Sequence, residues 1–315
     1  MLVSEVIQYV KDATATPDDL QNRTISPLFT NAKIVRQLKI AMDRYANYTK
    51  GIEAYCSQSV ATNQTSVAFP AGMIRSEGLR FISWFINGYE YSLNIINLNN
   101  EWGRFPVSVQ GLPRFAAVWQ DRIKFYPQNP QGYNHGVLTN DISATDTTIQ
   151  LNPKDNNVLG TAGFIPKEGR ITIDDEIIAY SYISNGAFYN CRRGLEDTTA
   201  TTHITGTQVN ENNLWIYYYR LNFDIPVNSD DSIDADILNK EILIADDHME
   251  TIIKYTTYNL LLQIDIQRAA AHKVDWQEWL KEAKRDINKG RSSVSRSANI
   301  RDPWLYESDA TFYRA

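Results

Sequence analysis

Apolar positions change their spacing three times along the chain. Val3, Val6, Ile7 and Val10 recur at helical intervals and predict a short helix over residues 3–13. Residues 14–29 carry Pro17, Asp18, Asp19, Asn22, Ser26 and Pro27, which is loop chemistry. Ile34, Val35, Leu38, Ala41, Met42 and Tyr45 then share one amphipathic stripe. They predict a second helix from Asn31 to Ala54, with Thr30 or Asn31 capping its start.

From Cys56 the period shortens to that of strands. Val67-Ala-Phe69-Pro70 reads as a strand ending in a turn. Arg80–Ile86 and Tyr89–Ile96 flank Asn87-Gly88, a hairpin signal. Ala116–Trp119 and Ile123–Tyr126 form a further pair around Gln120-Asp121-Arg122. The polar stretch 128–137 reads as a linker, and residues 138–209 as a separate β unit. That unit contains alternating Thr148–Leu151 and Ile171–Ile173, then Glu176–Ile183 after Asp174-Asp175, and closes at Gly206–Val209. Leu214–Leu221 has the same β-branched and aromatic character as Arg80–Ile86 and is expected to pair with Ile123–Tyr126. On that reading 138–209 is an insertion in a hairpin tip, where added chain disturbs little packing.

The third pattern is helical again. Residues 224–250 hold nine Asp or Glu against the single Lys240, and read as an acidic linker. Asp247-His-Met-Glu250 has capping-box spacing. Met249, Ile253, Leu260 and Ile264 mark one stripe; Trp276, Trp279, Leu280, Ala283 and Ile287 mark another. No Pro or Gly falls between Val227 and Lys289, so one or two helices fill the span. Beyond Gly290 the chain is rich in Ser and Arg and then carries Trp304, Leu305, Tyr306, Phe312 and Tyr313. Such a segment is too polar to fold alone and too aromatic to be inert, so an extended arm over 291–315 that orders on a partner is expected.

These elements assemble into an α+β expectation. Helices 1–55 and 246–290 form a helical domain, 56–134 an antiparallel β domain, 135–212 an inserted β module, and 213–245 a return strand and acidic linker. Composition narrows the function classes. The 315 residues carry a net charge of -6, which argues against a general nucleic-acid binder but allows a channel wall that holds passing DNA weakly. Tyr is abundant, with 18 copies, and Tyr anchors large β cores and interfaces. Cys56 and Cys191 share no CxxC spacing, so no disulfide framework is expected and assembly in a reducing cytoplasm is the simple reading. Met1–Glu5 shows no signal-peptide pattern, and no run of apolar residues reaches membrane-spanning length.

Candidate chemistry is sparse. His135, His203, His248 and His272 sit at no metal-ligand spacing, and no nucleophile elbow, phosphate loop or dinucleotide fingerprint occurs. No catalytic, metal or cofactor-binding residue is therefore assigned. Asp174-Asp175-Glu176 admits a calcium site, a glycosidase carboxylate pair, or a solvated turn entering a strand. The turn is favoured, because oxygen-only calcium sites use more ligands on a defined loop. Arg192-Arg193-Gly194 could touch phosphate, but reads more simply as a turn whose Gly takes a positive φ and whose Arg pairs with an acid. His203 reads as a hydrogen-bonded strand-end residue rather than a ligand, and Trp276/Trp279 as helix core. The seven Lys or Arg of 281–301 read as a solvated helix end or partner-binding arm rather than a DNA-facing surface.

Two stretches resemble known proteins. The order of a short helix, an amphipathic helix, a β-rich middle, "LWIYYYRLNFDIP", an acidic stretch, a helix and a loose tail is similar to podophage-type head-to-tail adaptor proteins, over residues 1–134 and 213–315. "ITIDDEIIAYSYI" followed by "CRRGLEDTTATTHITGTQV" resembles a small β module of phage tail and neck proteins, over residues 138–209. The resemblance implies a non-enzymatic virion component that joins portal to tail, in a homo-oligomeric ring of twelve. It implies contact with the portal protein and with a tail or next neck-ring protein, and no membrane. It also implies that the arm enters a portal groove, with Trp304, Leu305, Tyr306, Phe312 and Tyr313 as anchors and Arg291, Arg296 and Arg301 as steering charges. The β insertion departs from the adaptor pattern. It leaves open a receptor- or glycan-binding tail protein, and behind that a cell-wall glycosidase using Asp175 or Glu176.

Overall fold

The computed structural model describes residues 1–15, 29–75, 77–86, 88–96, 110–127, 132–152, 161 and 163–297. The chain is of mixed α+β class and divides into two compact units. One comprises Met1–Ala54, Gly72–Gly78 and the chain from Tyr219 on; the other comprises Tyr55–Ala71 and Leu79–Tyr218. Most of the loop expected over 14–29, and Asn87 of the hairpin signal, lie outside the described residues.

The first unit is helical. Val3–Thr14 (α1) buries Val3, Val6, Ile7 and Val10, the face its spacing predicts. Asn31–Thr49 (α2) buries its whole stripe from Ile34 to Tyr45, and the Thr30 hydroxyl accepts from the Lys33 amide at 3.3 Å as its cap. This helix stops five residues short of Ala54. Lys50 takes φ 56°, the left-handed turn that ends a helix, and the following residues enter a strand.

Residues 224–245 are no linker. Ile225, Ile242 and Ile244 are buried in the core of the helical unit with Phe223, and a one-turn helix, Ala235–Leu238 (α3), lies among them. The acidic side chains stay outside, where Asp224 pairs with Lys39 at 2.8 Å and Asp231 with Arg36 at 3.0 Å.

Two helices follow, Met249–Leu261 (α4) and Ile266–Ser297 (α5), joined by a turn at 262–265. Asp247 does not cap α4. It lies in a 3-10 turn over Asp246–His248 that runs into the helix, and no side chain caps the start. The turn after α4 takes Ile264 out of the expected stripe and leaves it exposed. On α5, Trp276 packs on Tyr255 with ring centroids 4.7 Å apart and Leu280 and Ala283 are buried, whereas Trp279 is partly exposed. The pair of tryptophans is thus split between core and surface. The helix also continues through Gly290 to Ser297, so the backbone of 291–297 is helical rather than extended.

The second unit holds three sheets. Glu53–Gln58 (β1), Leu79–Ile86 (β3), Tyr89–Ser92 (β4) and Leu214–Tyr219 (β15) form one, in the order β1-β15-β3-β4. Ser66–Ala68 (β2), Asn94–Ile95 (β5), Phe115–Trp119 (β6) and Arg122–Tyr126 (β7) form another, in the order β2-β7-β6-β5. The hairpins β3–β4 and β6–β7 form as expected. The pairing expected between Ile123–Tyr126 and Leu214–Leu221 does not. β15 pairs with β3, Ile216 opposite Ile82, while β7 pairs with β2 and β6. The inserted residues therefore leave from one sheet and return to another, and are not the tip of one hairpin.

The third sheet is the insertion. Its strands are His135–Leu138 (β8), Thr148–Asn152 (β9), Lys167–Ile173 (β10), Glu176–Ser184 (β11), Ala187–Tyr189 (β12), Arg192–Leu195 (β13) and Gln208–Glu211 (β14). The order β10-β14-β8-β9-β12-β11 closes through the β10–β11 pairing, giving a six-stranded barrel with β13 attached to β11. Ile149, Ile171, Ile173, Ile178, Tyr180, Phe188 and Val209 fill it. At Gly169 an added Cβ would lie 2.0 Å from the Tyr180 hydroxyl, so this interior position admits no side chain.

Candidate functional site

Of the residues singled out as candidate chemistry, Asp174, Glu176, Arg193, Gly194 and His203 come together on the barrel, whereas His248, His272, Trp276 and Trp279 lie in the helical unit. The β10–β11 hairpin turns through Asp174, at φ 52°, and Asp175, which places Glu176 first on the returning strand with its side chain inward. Across from it, Arg193 and Gly194 lie on β13, and His203 follows on the loop that leads to β14.

Glu176 is buried, and its carboxylate is fully engaged. Oε1 accepts from Arg193 Nε at 2.7 Å and from the Gly194 amide at 3.0 Å. Oε2 accepts from Arg193 Nη2 at 2.8 Å and the Thr201 amide at 3.1 Å, and lies 2.8 Å from His203 Nε2. The Arg193 fork is completed by the carbonyls of Thr201, at 2.7 Å, and Ser143. Arg192-Arg193-Gly194 is strand rather than the expected turn, but Gly194 does take the positive φ, 63°, and an added Cβ would meet the Ala200 amide nitrogen at 2.8 Å.

Each ring nitrogen of His203 faces a carboxylate oxygen, Glu176 on one side and Asp174 at 2.8 Å on the other, so only a doubly protonated ring donates to both. Burial pushes the Glu176 carboxyl upward, but the bidentate Arg193, His203 and the Thr201 amide outweigh it and hold its pKa at about 2.

The expected turn forms at Asp174-Asp175, but it is not solvated throughout, since Glu176 is buried. Asp174, largely exposed, faces His203 with one oxygen, Asp175 is exposed, and Glu176 points inward with every lone pair used. The three carboxylates do not converge on a cation, and a carboxyl held near 2 is no general acid at neutral pH. Among the described residues no group of His, Cys, Asp and Glu is arranged to hold a metal ion. Arg193 faces the protein interior and offers no phosphate contact. What the cluster does is lock the hairpin, β13 and the loop at 201–203 together from within.

Two further buried polar clusters escape a reading by motif. Arg170 of β10 stacks over Tyr55 and Trp215, 4.8 and 5.8 Å from the ring centroids, and pairs with Glu196 at 3.3 Å. Glu196 accepts from the Ser57 amide at 2.6 Å and its hydroxyl at 2.8 Å. Asn212 bonds Ser57, Ser59 and Thr172 at 2.7–2.8 Å. These bonds run between the barrel and the sheet containing β1 and β15. The second cluster centres on Glu211, beside Asn134 and Ile165. Its one sequence signal is period two: Glu211 follows Val209 at an inward position of β14.

Of the expected portal-binding residues, Arg291 and Arg296 lie on the helical backbone of α5. Arg301, Trp304, Leu305, Tyr306, Phe312 and Tyr313 lie outside the described residues. No protein-family profile matches the chain, and no curated protein matches it in sequence.

Proposed function

We propose that the chain is a structural virion protein, a head-to-tail adaptor that forms a ring between portal and tail and lines part of the DNA channel. The observation that supports this reading is the helical unit. Helices from both ends of the sequence share one core, in the order of the adaptor pattern, and the 32-residue α5 leads directly into the aromatic and basic chain end. The saturated Glu176 cluster is consistent with a mechanical rather than a chemical role.

Purified protein should bind its cognate portal at micromolar concentration, and negative-stain images of the mixture should show rings on the portal. Absence of portal binding, together with binding to glycans, would overturn the reading in favour of a receptor-binding tail protein. That second reading draws on one observation: Tyr182 and Tyr189 stack at 5.0 Å with planes 6° apart on the barrel wall, with Tyr182 exposed.

A further inference from the structure

Glu211 sits at the neck of the barrel, where the chain comes in before β8 and goes out after β14. The residue is 1% exposed, and its carboxylate accepts from Asn134 Nδ2 at 2.6 Å, the Asn134 amide at 3.4 Å and the Ile165 amide at 2.8 Å. The Glu211 amide donates to the Asn134 carbonyl at 2.8 Å, and Asn134 Nδ2 donates also to the Gly163 carbonyl at 2.7 Å. One side chain thus ties together the incoming segment, the 163–165 loop and the outgoing strand.

All its donors are neutral amides. Among the described residues no Lys, Arg or His pairs with it, in contrast to Glu176. From β11 the titratable neighbour is Tyr180, whose hydroxyl donates to the Ile165 carbonyl at 2.7 Å and whose ionisation burial pushes well above its ordinary range. Arg170 of β10 and His135 of β8 are one residue out of phase with Ile171 and Asn134, which lie opposite Glu211. Their side chains fall on the other face, where Arg170 reaches Tyr55.

We propose that Glu211 is a proton-controlled clasp, and that the ionisation of this one carboxyl sets how readily the neck of the barrel opens. A carboxylate buried without a cation is costly, and opening the neck to water removes that cost. Burial raises the pKa to about 7, against the Asn134 and Ile165 hydrogen bonds that lower it; in an open, hydrated neck the group returns to its ordinary 4.5. The closed state therefore binds the proton more tightly. Closure is strongest below pH 4.5, weakens as pH rises and levels off above 7. From pH 5.5 to pH 8 the opening equilibrium should grow about twentyfold. The barrel is then held rigidly to its surroundings under acid conditions and more loosely above neutrality.

Hydrogen exchange on the full chain tests this, with rates corrected for the intrinsic pH dependence of amide exchange. Peptides covering 132–138, 163–166 and 207–213 should gain about twentyfold in exchange between pH 5.5 and 8 in the wild type, and show a flat profile in Glu211→Gln. A flat wild-type profile, or the same rise in the variant, overturns the proposal. Should Glu211→Gln not fold, carboxyl carbon NMR of the wild type decides. One glutamate titrating near pH 7 supports the clasp, and all glutamates titrating below pH 5.5 overturn it.

Discussion

Replacing Glu176 by alanine removes the acceptor for Arg193, the Gly194 and Thr201 amides and one face of His203. Arg193 would keep only the Ser143 and Thr201 carbonyls, with its side chain 6% exposed. Deleting one partner of a buried pair costs about 3–5 kcal/mol, because the remaining charge stays desolvated. For a unit of this size each kcal/mol shifts the melting temperature by about 2–4 °C, so Glu176→Ala should lower it by about 6–20 °C. The pH dependence adds a second check. The folded pKa of about 2 lies below the ordinary 4.5, so the folded state holds the proton less tightly than the unfolded state. The stabilisation is complete above pH 4.5 and is lost as pH falls through 2, by about 3 kcal/mol in all. Urea melts followed by tryptophan fluorescence between pH 2.5 and 7 should show this slope in the wild type and lose it in Glu176→Ala. Asp175→Ala, at the exposed turn, should stay within about 0.5 kcal/mol. A Glu176→Ala protein melting within about 2 °C of the wild type would refute the reasoning, since it would mean the cluster holds nothing together.

Four further outcomes are expected. Relative to wild type, Glu211→Gln should gain about 2 kcal/mol more stability at pH 8 than at pH 5.5, as judged by urea midpoints at the two pH values. Gly169→Ala should cost about 3 kcal/mol or more, read by thermal melts, because its methyl would overlap the Tyr180 hydroxyl. Replacing 138–209 by a short Gly-Ser linker joins ends that are already adjacent, since Val137 pairs with Gln208, but removes Arg170 and Glu196 from Tyr55, Ser57 and Trp215. The truncated β unit should lose cooperative unfolding in urea; a sharp unchanged transition would show that the seam is dispensable. Under the adaptor reading, Trp304→Ala should weaken portal docking far more than Arg301→Ala at physiological salt, measured by surface binding, because aromatic anchors dominate such interfaces and exposed charges are screened.

Legibility in the sequence follows the range of the interactions. The stripes of α1 and α2, the Thr30 cap and the β3–β4 and β6–β7 hairpins depend on neighbours within a few residues, and all are readable. So are the positive φ of Gly194 and the pairing of Arg193 to an acid, although the segment is strand β13 rather than a turn. The partner of β15 is not readable. Ile123–Tyr126 and Leu79–Ile86 offer equally β-branched, aromatic edges, and only tertiary packing chooses between them. Arg170 on β10, and Glu196 and Asn212 just beyond strand ends, escape for a related reason, since such polar residues look solvated until the second layer that covers them is known. Trp279 and Ile264 err in the opposite direction. For Ile264 the periodicity continues across a helix end that only the local turn reveals; Trp279 lies within α5, on the edge of its buried face.

The strand order β1-β15-β3-β4 also has a consequence for biosynthesis. β1 and β3 do not pair with each other; both pair with β15, so the middle strand of this sheet is translated last. At roughly 5–20 residues per second, the stretch from Ile86 to Leu214 takes on the order of 6–25 seconds to emerge. Throughout that interval Ile82, Trp84 and Phe85 belong to a strand with one edge open, and the barrel, whose last strand β14 ends at Glu211, closes only as β15 itself is made. The nascent chain therefore carries the open edge of β3 until barrel and sheet are completed together, and it is over β3 that a ribosome-bound chaperone or a neighbouring polysome would find it most exposed.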